Sequence, residues 1–126
     1  MVRLRAVLGA AALSALSACA ADSPDPAASF NLAYRLGFEA LQAQDYPKAE
    51  QKLSEAAQLV PDDPYVQLNL GVAYQHLGAL DKARAAYLRA VAAGEKVKPV
   101  RVTDPRYAGR SVADLARDNL ASLPPP

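Results

Sequence analysis

"LNLGVAYQHLGALDKARAAYLRA", residues 68–90, is the stretch that decides the fold. Set against the chain 34 residues earlier, its parts recur: "LGVAY" (70–74) lies over "LGFEA" (36–40), and "KARAAYLRA" (82–90) lies over "KAEQKLSEA" (48–56). Leu36, Gly37, Lys48, Ala49 and Ala56 return as Leu70, Gly71, Lys82, Ala83 and Ala90, while Ala40 and Leu53 become Tyr74 and Tyr87. Two antiparallel helices with two turns take up about this length, so the chain reads as a helical repeat present in two copies.

Each recurring position has a physical use. Gly71 and Ala83 are small where two helices cross closely, and Leu53, Tyr74 and Tyr87 fill the space beside them. Pro61 ends the second helix, and "DDP" (62–64) starts the third, with Asp63 as its cap and Pro64 in its first turn. The acidic pair Asp62 and Asp63 beside that proline is a capping turn rather than a metal or acid-base site. Asp45 caps the helix after "QAQ", Gly78 makes the corresponding turn of the second copy, and Gly94 suits a helix stop after "VAA".

These residues resemble the tetratricopeptide repeat over residues 30–95, divided as 30–63 and 64–95. The first copy departs from the family pattern at Ala33 and Ala40. The resemblance implies an all-α fold of two helix-turn-helix units, and it implies a groove lined by the first helix of each unit that holds peptides or partner helices. Carried over position by position, the groove is Asn31, Tyr34, Phe38 and Gln42 in the first unit and Tyr65, Asn69, Val72 and His76 in the second. Many relatives clamp a C-terminal carboxylate with Lys and Asn where this chain has Tyr34 and Phe38; only Asn69 survives, so that clamp is not expected here. Tyr34, Phe38 and Tyr65 also fit plain packing against a neighbouring helix.

The N-terminus reads differently. Arg3 and Arg5 precede a short apolar run, "AVLGAAALSALSA", too short to cross ~30 Å of hydrocarbon as a stable helix, and small residues follow. That order makes residues 1–18 a bacterial secretory signal. "LSAC", Leu16 to Cys19, resembles the lipobox of bacterial lipoproteins, in which the cysteine is diacylated and becomes the new N-terminus. Two acyl chains suffice for stable anchoring. "ACA" (18–20) equally meets the small-x-small rule of a soluble exported protein, but a lone thiol sits awkwardly in an oxidising compartment unless the lipid consumes it. Ala20 follows the cysteine in place of an inner-membrane retention aspartate, which points to the outer membrane, periplasmic face.

From Cys19 onward 108 residues remain, one domain's worth, with 12 basic and 13 acidic side chains. That balance excludes an electrostatic nucleic-acid binder. Residues 19–29, rich in Ala, Asp and Pro, read as a tether. Residues 96–110 carry Pro99, Pro105 and Gly109 and read as a basic connector, either solvated or facing an anionic partner; "VRV" (100–102) has strand character and no second strand to pair with. "SVADLARDNLASL" (111–123) is an amphipathic helix that opens on a Ser111–Asp114 capping box and places Val112, Leu115, Ala116, Leu120 and Leu123 on one stripe. Its expected role is to cap the second unit.

Catalysis, metal and cofactor binding find no support: His76 is the only histidine, near a helix end, and Cys19 is the only cysteine. No nucleophile elbow or glycine-rich phosphate loop is present. The reading is therefore a lipid-anchored envelope adaptor for a protein or peptide partner, with a self-associating homodimer, or a soluble accessory subunit of an envelope enzyme, as the alternatives.

Overall fold

The computed structural model describes residues 23–98 and 108–126; the secretory signal, Cys19 and the "VRV" stretch lie outside the described residues. Within them the chain forms five helices and no strand: α1 Pro26–Gln42, α2 Tyr46–Leu59, α3 Pro64–His76, α4 Leu80–Gly94 and α5 Val112–Ser122.

Three of the helices start on the same device, an aspartate cap followed by proline in the first turn. Asp25 accepts from Ala27 N (3.0 Å), Asp45 from Lys48 N (3.2 Å) and Asp63 from Val66 N (2.9 Å), with Pro26, Pro47 and Pro64 placed where no intrahelical N–H is needed. The first of these corrects the tether: residues 26–29 are the opening turn of α1, because Asp25 and Pro26 start a helix rather than prevent one. The turns within the two units close alike. Asp45 N donates to Ala40 O and Ala79 N to Tyr74 O, both at 2.9 Å, and the residue in the left-handed region is Gln44 (φ 60°) in one turn and Gly78 (φ 75°) in the other. α5 starts on the capping box, Asp114 N donating to Ser111 Oγ (3.1 Å) and Ser111 N to Asp114 Oδ2 (2.8 Å).

The helices pair as α1 with α2 and α3 with α4, and α3 touches all four others. Inside each pair a glycine lets the partner's largest core side chain lie against the backbone. A Cβ on Gly37 would stand 2.6 Å from Leu53 Cγ, and one on Gly71 would stand 2.3 Å from the Tyr87 ring. Leu53, Val66, Tyr87 and Val112 are fully buried. Gly94 serves the same purpose. α4 does end there, as expected, but Gly94 is not in the left-handed region. It is buried, and a Cβ there would stand 2.8 Å from Ala113 N, so its small size admits the start of α5. Val112, Ala113 and Ala116 are buried against the second unit, and Leu115 and Leu120 are half-buried.

Candidate protein-binding groove

α1 touches α3 and α3 touches α5, whereas α2 and α4 make no comparable contact with each other. The three first-type helices therefore sit closer together than the two second-type helices, and the surface curves inward on the α1–α3–α5 side. All eight residues expected to line a groove lie on α1 and α3.

On α1, residues four apart share a face, and Phe30, Tyr34 and Phe38 form a ladder of near-parallel rings. Their centroids are 6.2 Å apart from Phe30 to Tyr34 and 6.3 Å from Tyr34 to Phe38. Phe30 and Tyr34 are half-buried against the core of the first unit, and Phe38 is 41% exposed. Asn69 Nδ2 donates to Tyr34 Oη across the seam between the units at 3.2 Å. Burial pushes the Tyr34 phenol above its ordinary value; the Asn69 hydrogen bond offsets this in part, and Asp63 and Tyr65 add to the rise. The phenol is thus neutral and keeps a proton to donate.

The other positions divide. Tyr65 Oη donates to Lys98 O, so this ring fastens the beginning of the connector. Val72 packs with Tyr87, Ala116, Leu120 and Leu123 at the seam between α3 and α5. His76 stacks on Tyr46 at the start of α2, with centroids 4.2 Å apart and planes 2° apart. Asn31, in the second turn of α1, and Gln42, its last residue, are exposed. Tyr34, Phe38 and Asn69 are therefore brought together, Tyr65, Val72 and His76 are engaged within the chain, and no charged side chain belongs to the set. Phe30, Tyr46 and Lys98 belong to the surface and were not among the expected residues. Phe30 was detectable from its spacing with Tyr34, whereas Tyr46 depends on a contact between the units and Lys98 on one between the second unit and the connector.

A further cleft of about 390 Å3 lies between α2, α3 and α4, lined by Ser54, Gln58, Gln67, Tyr74 and Arg89 among others, with Lys82 Nζ 5.5 Å from the Tyr74 ring centroid. Gln67 is almost fully buried there and spends its amide on Pro61 O (2.7 Å). Among the described residues no group of three or more His, Cys, Asp or Glu is placed to hold a metal ion.

Neither a curated protein nor a solved structure matches the chain. One family model does, described as tetratricopeptide repeat, over residues 40–102, half of the chain. The match runs from the last turn of α1 through α2, α3 and α4 and so covers the seam at which the two units meet. With paired helices, glycine-mediated crossings and an inward-curving first-helix surface, the chain belongs to the tetratricopeptide repeat family.

Proposed function

We propose that this protein is an adaptor of the bacterial cell envelope, anchored through a diacylated Cys19, that holds a segment of a partner protein against the α1–α3 groove. The tetratricopeptide repeat is a protein-protein interaction module, which supports the general role. The envelope and the anchor rest on the basic, apolar and small-residue order of the leader and on "LSAC". The single observation behind the groove is Phe38. It is the open end of an aromatic ladder, 41% exposed, one step from a neutral Tyr34 hydroxyl held in place by Asn69. An apolar ring beside a positioned donor suits a peptide with an apolar side chain and a free backbone carbonyl.

A photo-crosslinking amino acid placed at Phe38 in cells is expected to trap a partner of defined mass. The same group at Leu88, an exposed position on α4, is expected to trap none. Equal trapping at both positions, or none at Phe38, would refute the groove. The anchor is tested apart from it: Cys19→Ala is expected to leave the membrane fraction or accumulate as precursor. A variant that stays with membranes at mature size would refute lipidation and leave the groove reading standing.

A further inference from the structure

α1 begins a turn earlier than the repeat requires. At the offset of 34 relating the two units, Pro64 at the start of α3 corresponds to Phe30, yet α1 starts at Pro26. Ala27 and Ala28 of the added turn are exposed, so the turn adds little to the core. What it does is wall a cleft of about 330 Å3 lined by Pro26, Ala27, Phe30, Asn31, Leu59 and Val60. Five of these are apolar, and Leu59 and Val60 at the end of α2 are 44% and 42% exposed.

The second unit shows what such a place does when it is covered. Val60 corresponds to Gly94, and there the chain lays Val112 and Ala113 directly onto the helix end. In the first unit α3 packs on α2 in the corresponding way, but among the described residues Leu59 and Val60 remain exposed. The border of the cleft is acidic: Asp25 adjoins Pro26, and Asp62 stands two residues beyond Val60. Both are exposed, Asp25 is spent only on the Ala27 N–H, and no lysine or arginine among the described residues pairs with either.

We propose that this cleft is a second docking site, adjoining the groove at Phe30 and Asn31 but centred on the added turn of α1 and the end of α2, for a peptide segment of a partner protein that carries a bulky aliphatic side chain next to a lysine or arginine. The aliphatic side chain fills the space between Phe30, Leu59 and Val60. The cation answers Asp62 and Asp25, and Asn31 supplies the one polar side chain of the lining for the peptide backbone.

The test uses the full chain and three fluorescent Gly/Ser peptides with Leu-Lys, Leu-Glu or Ala-Lys at the centre, read by anisotropy. The Leu-Lys peptide is expected to bind at least about tenfold tighter than the other two, and its affinity to fall with salt. Ala27→Leu, which fills the cleft, is expected to weaken it about tenfold, and Asp62→Lys to shift the preference towards Leu-Glu. Both substitutions fall at exposed positions, so thermal melting is expected to match the parent. Phe38→Ala is expected to change nothing here, which keeps this site distinguishable from the groove. Equal binding of all three peptides overturns the proposal, as does insensitivity to Asp62→Lys. Binding of anionic phospholipid vesicles that Ala27→Leu abolishes, with no Leu-Lys preference, overturns it in favour of a membrane contact.

Discussion

Gly71→Ala pits two opposite effects against each other at one position. In the interior of a helix, alanine is favoured over glycine by about 1 kcal/mol, so propensity alone makes the substitution stabilising. The structure reverses the sign. The new methyl would lie 2.3 and 2.4 Å from two atoms of the Tyr87 ring, far inside contact distance. The ring cannot swing away freely, because it is fully buried and its hydroxyl donates to Gln75 Oε1 at 2.7 Å. Overpacking of this kind costs about 1–3 kcal/mol, and so severe an overlap belongs at the upper end. The net is a loss of about 2 kcal/mol, or roughly 8–16 °C in Tm for a domain of this size. Thermal unfolding followed by circular dichroism reads it directly. The double variant Gly71→Ala with Tyr87→Leu adds a check: with the ring gone the methyl has room, so the two changes together should cost at least about 1 kcal/mol less than their sum. A Gly71→Ala protein that melts above the parent, or strict additivity in the cycle, would show that α3 and α4 do not cross here.

The start of α5 gives an acid-dependence. The Ser111 backbone N–H holds the Asp114 carboxyl below its ordinary value, with the Ser111 side chain and then Arg117 and Arg110 adding to this; the Arg110 hydrogen bond does the same for Asp118. Folded-state values lowered in this way stabilise the fold above an unfolded value of about 3.9, and that stability is lost as pH falls through the folded values. Tm measured downward from about pH 6 should therefore drop less steeply in Asp114→Asn than in the parent. Leu115→Asp with Leu120→Asp places charge on half-buried positions of the same helix and should lower Tm or cause aggregation, measured by melting and light scattering. A parent-like melt would mean that α5 is not a cap.

Much of the architecture is legible in sequence because it is local. The offset of 34, the Asp-Pro starts and the Ser111–Asp114 box are all short-range signals, and each lies where a helix or turn begins. The opening turn of α1 shows how such a signal is misread. Asp25–Pro26 is chemically the same start as Asp63–Pro64, but among other prolines it passes for a linker. Gly94 is legible only in part. A glycine there predicts the helix end, and α4 does end at Gly94, but the residue is not left-handed and is small for the sake of Ala113, 19 residues on, which no local pattern reports. The groove follows the same division. Its face is fixed by helix periodicity, so all eight positions fall on α1 and α3. Which of them stay open to a partner depends on the pairings Asn69–Tyr34, Tyr65–Lys98 and His76–Tyr46, and those exist only once the units and the connector have come together.

That stacking raises the question of how two repeats suffice, since such arrays need roughly three units to bury a continuous core. α5 answers it by occupying the place of the first helix of a third unit. It touches α3 much as α3 touches α1, and it lies on α4 as α3 lies on α2. Its remaining surface carries Asp114, Arg117 and Asp118, so no further helix is needed to cover it, and Arg117 turns back to pair with Glu95. The route to that place is longer, 17 residues from α4 to α5 against four from α2 to α3. Two doublings of loop length cost only about 1.2 kcal/mol. Full burial of the Val112 side chain alone is worth about 1.5–3 kcal/mol. The ends of the connector are also fastened together, Val112 N donating to Val97 O at 2.7 Å and Lys98 Nζ to Gly109 O at 2.5 Å. The cap is therefore secured by its own contacts and by the stem of the loop. The C-terminal end of the stack is closed in this way, while at the other end Leu59 and Val60 stay exposed among the described residues, beside the added turn of α1.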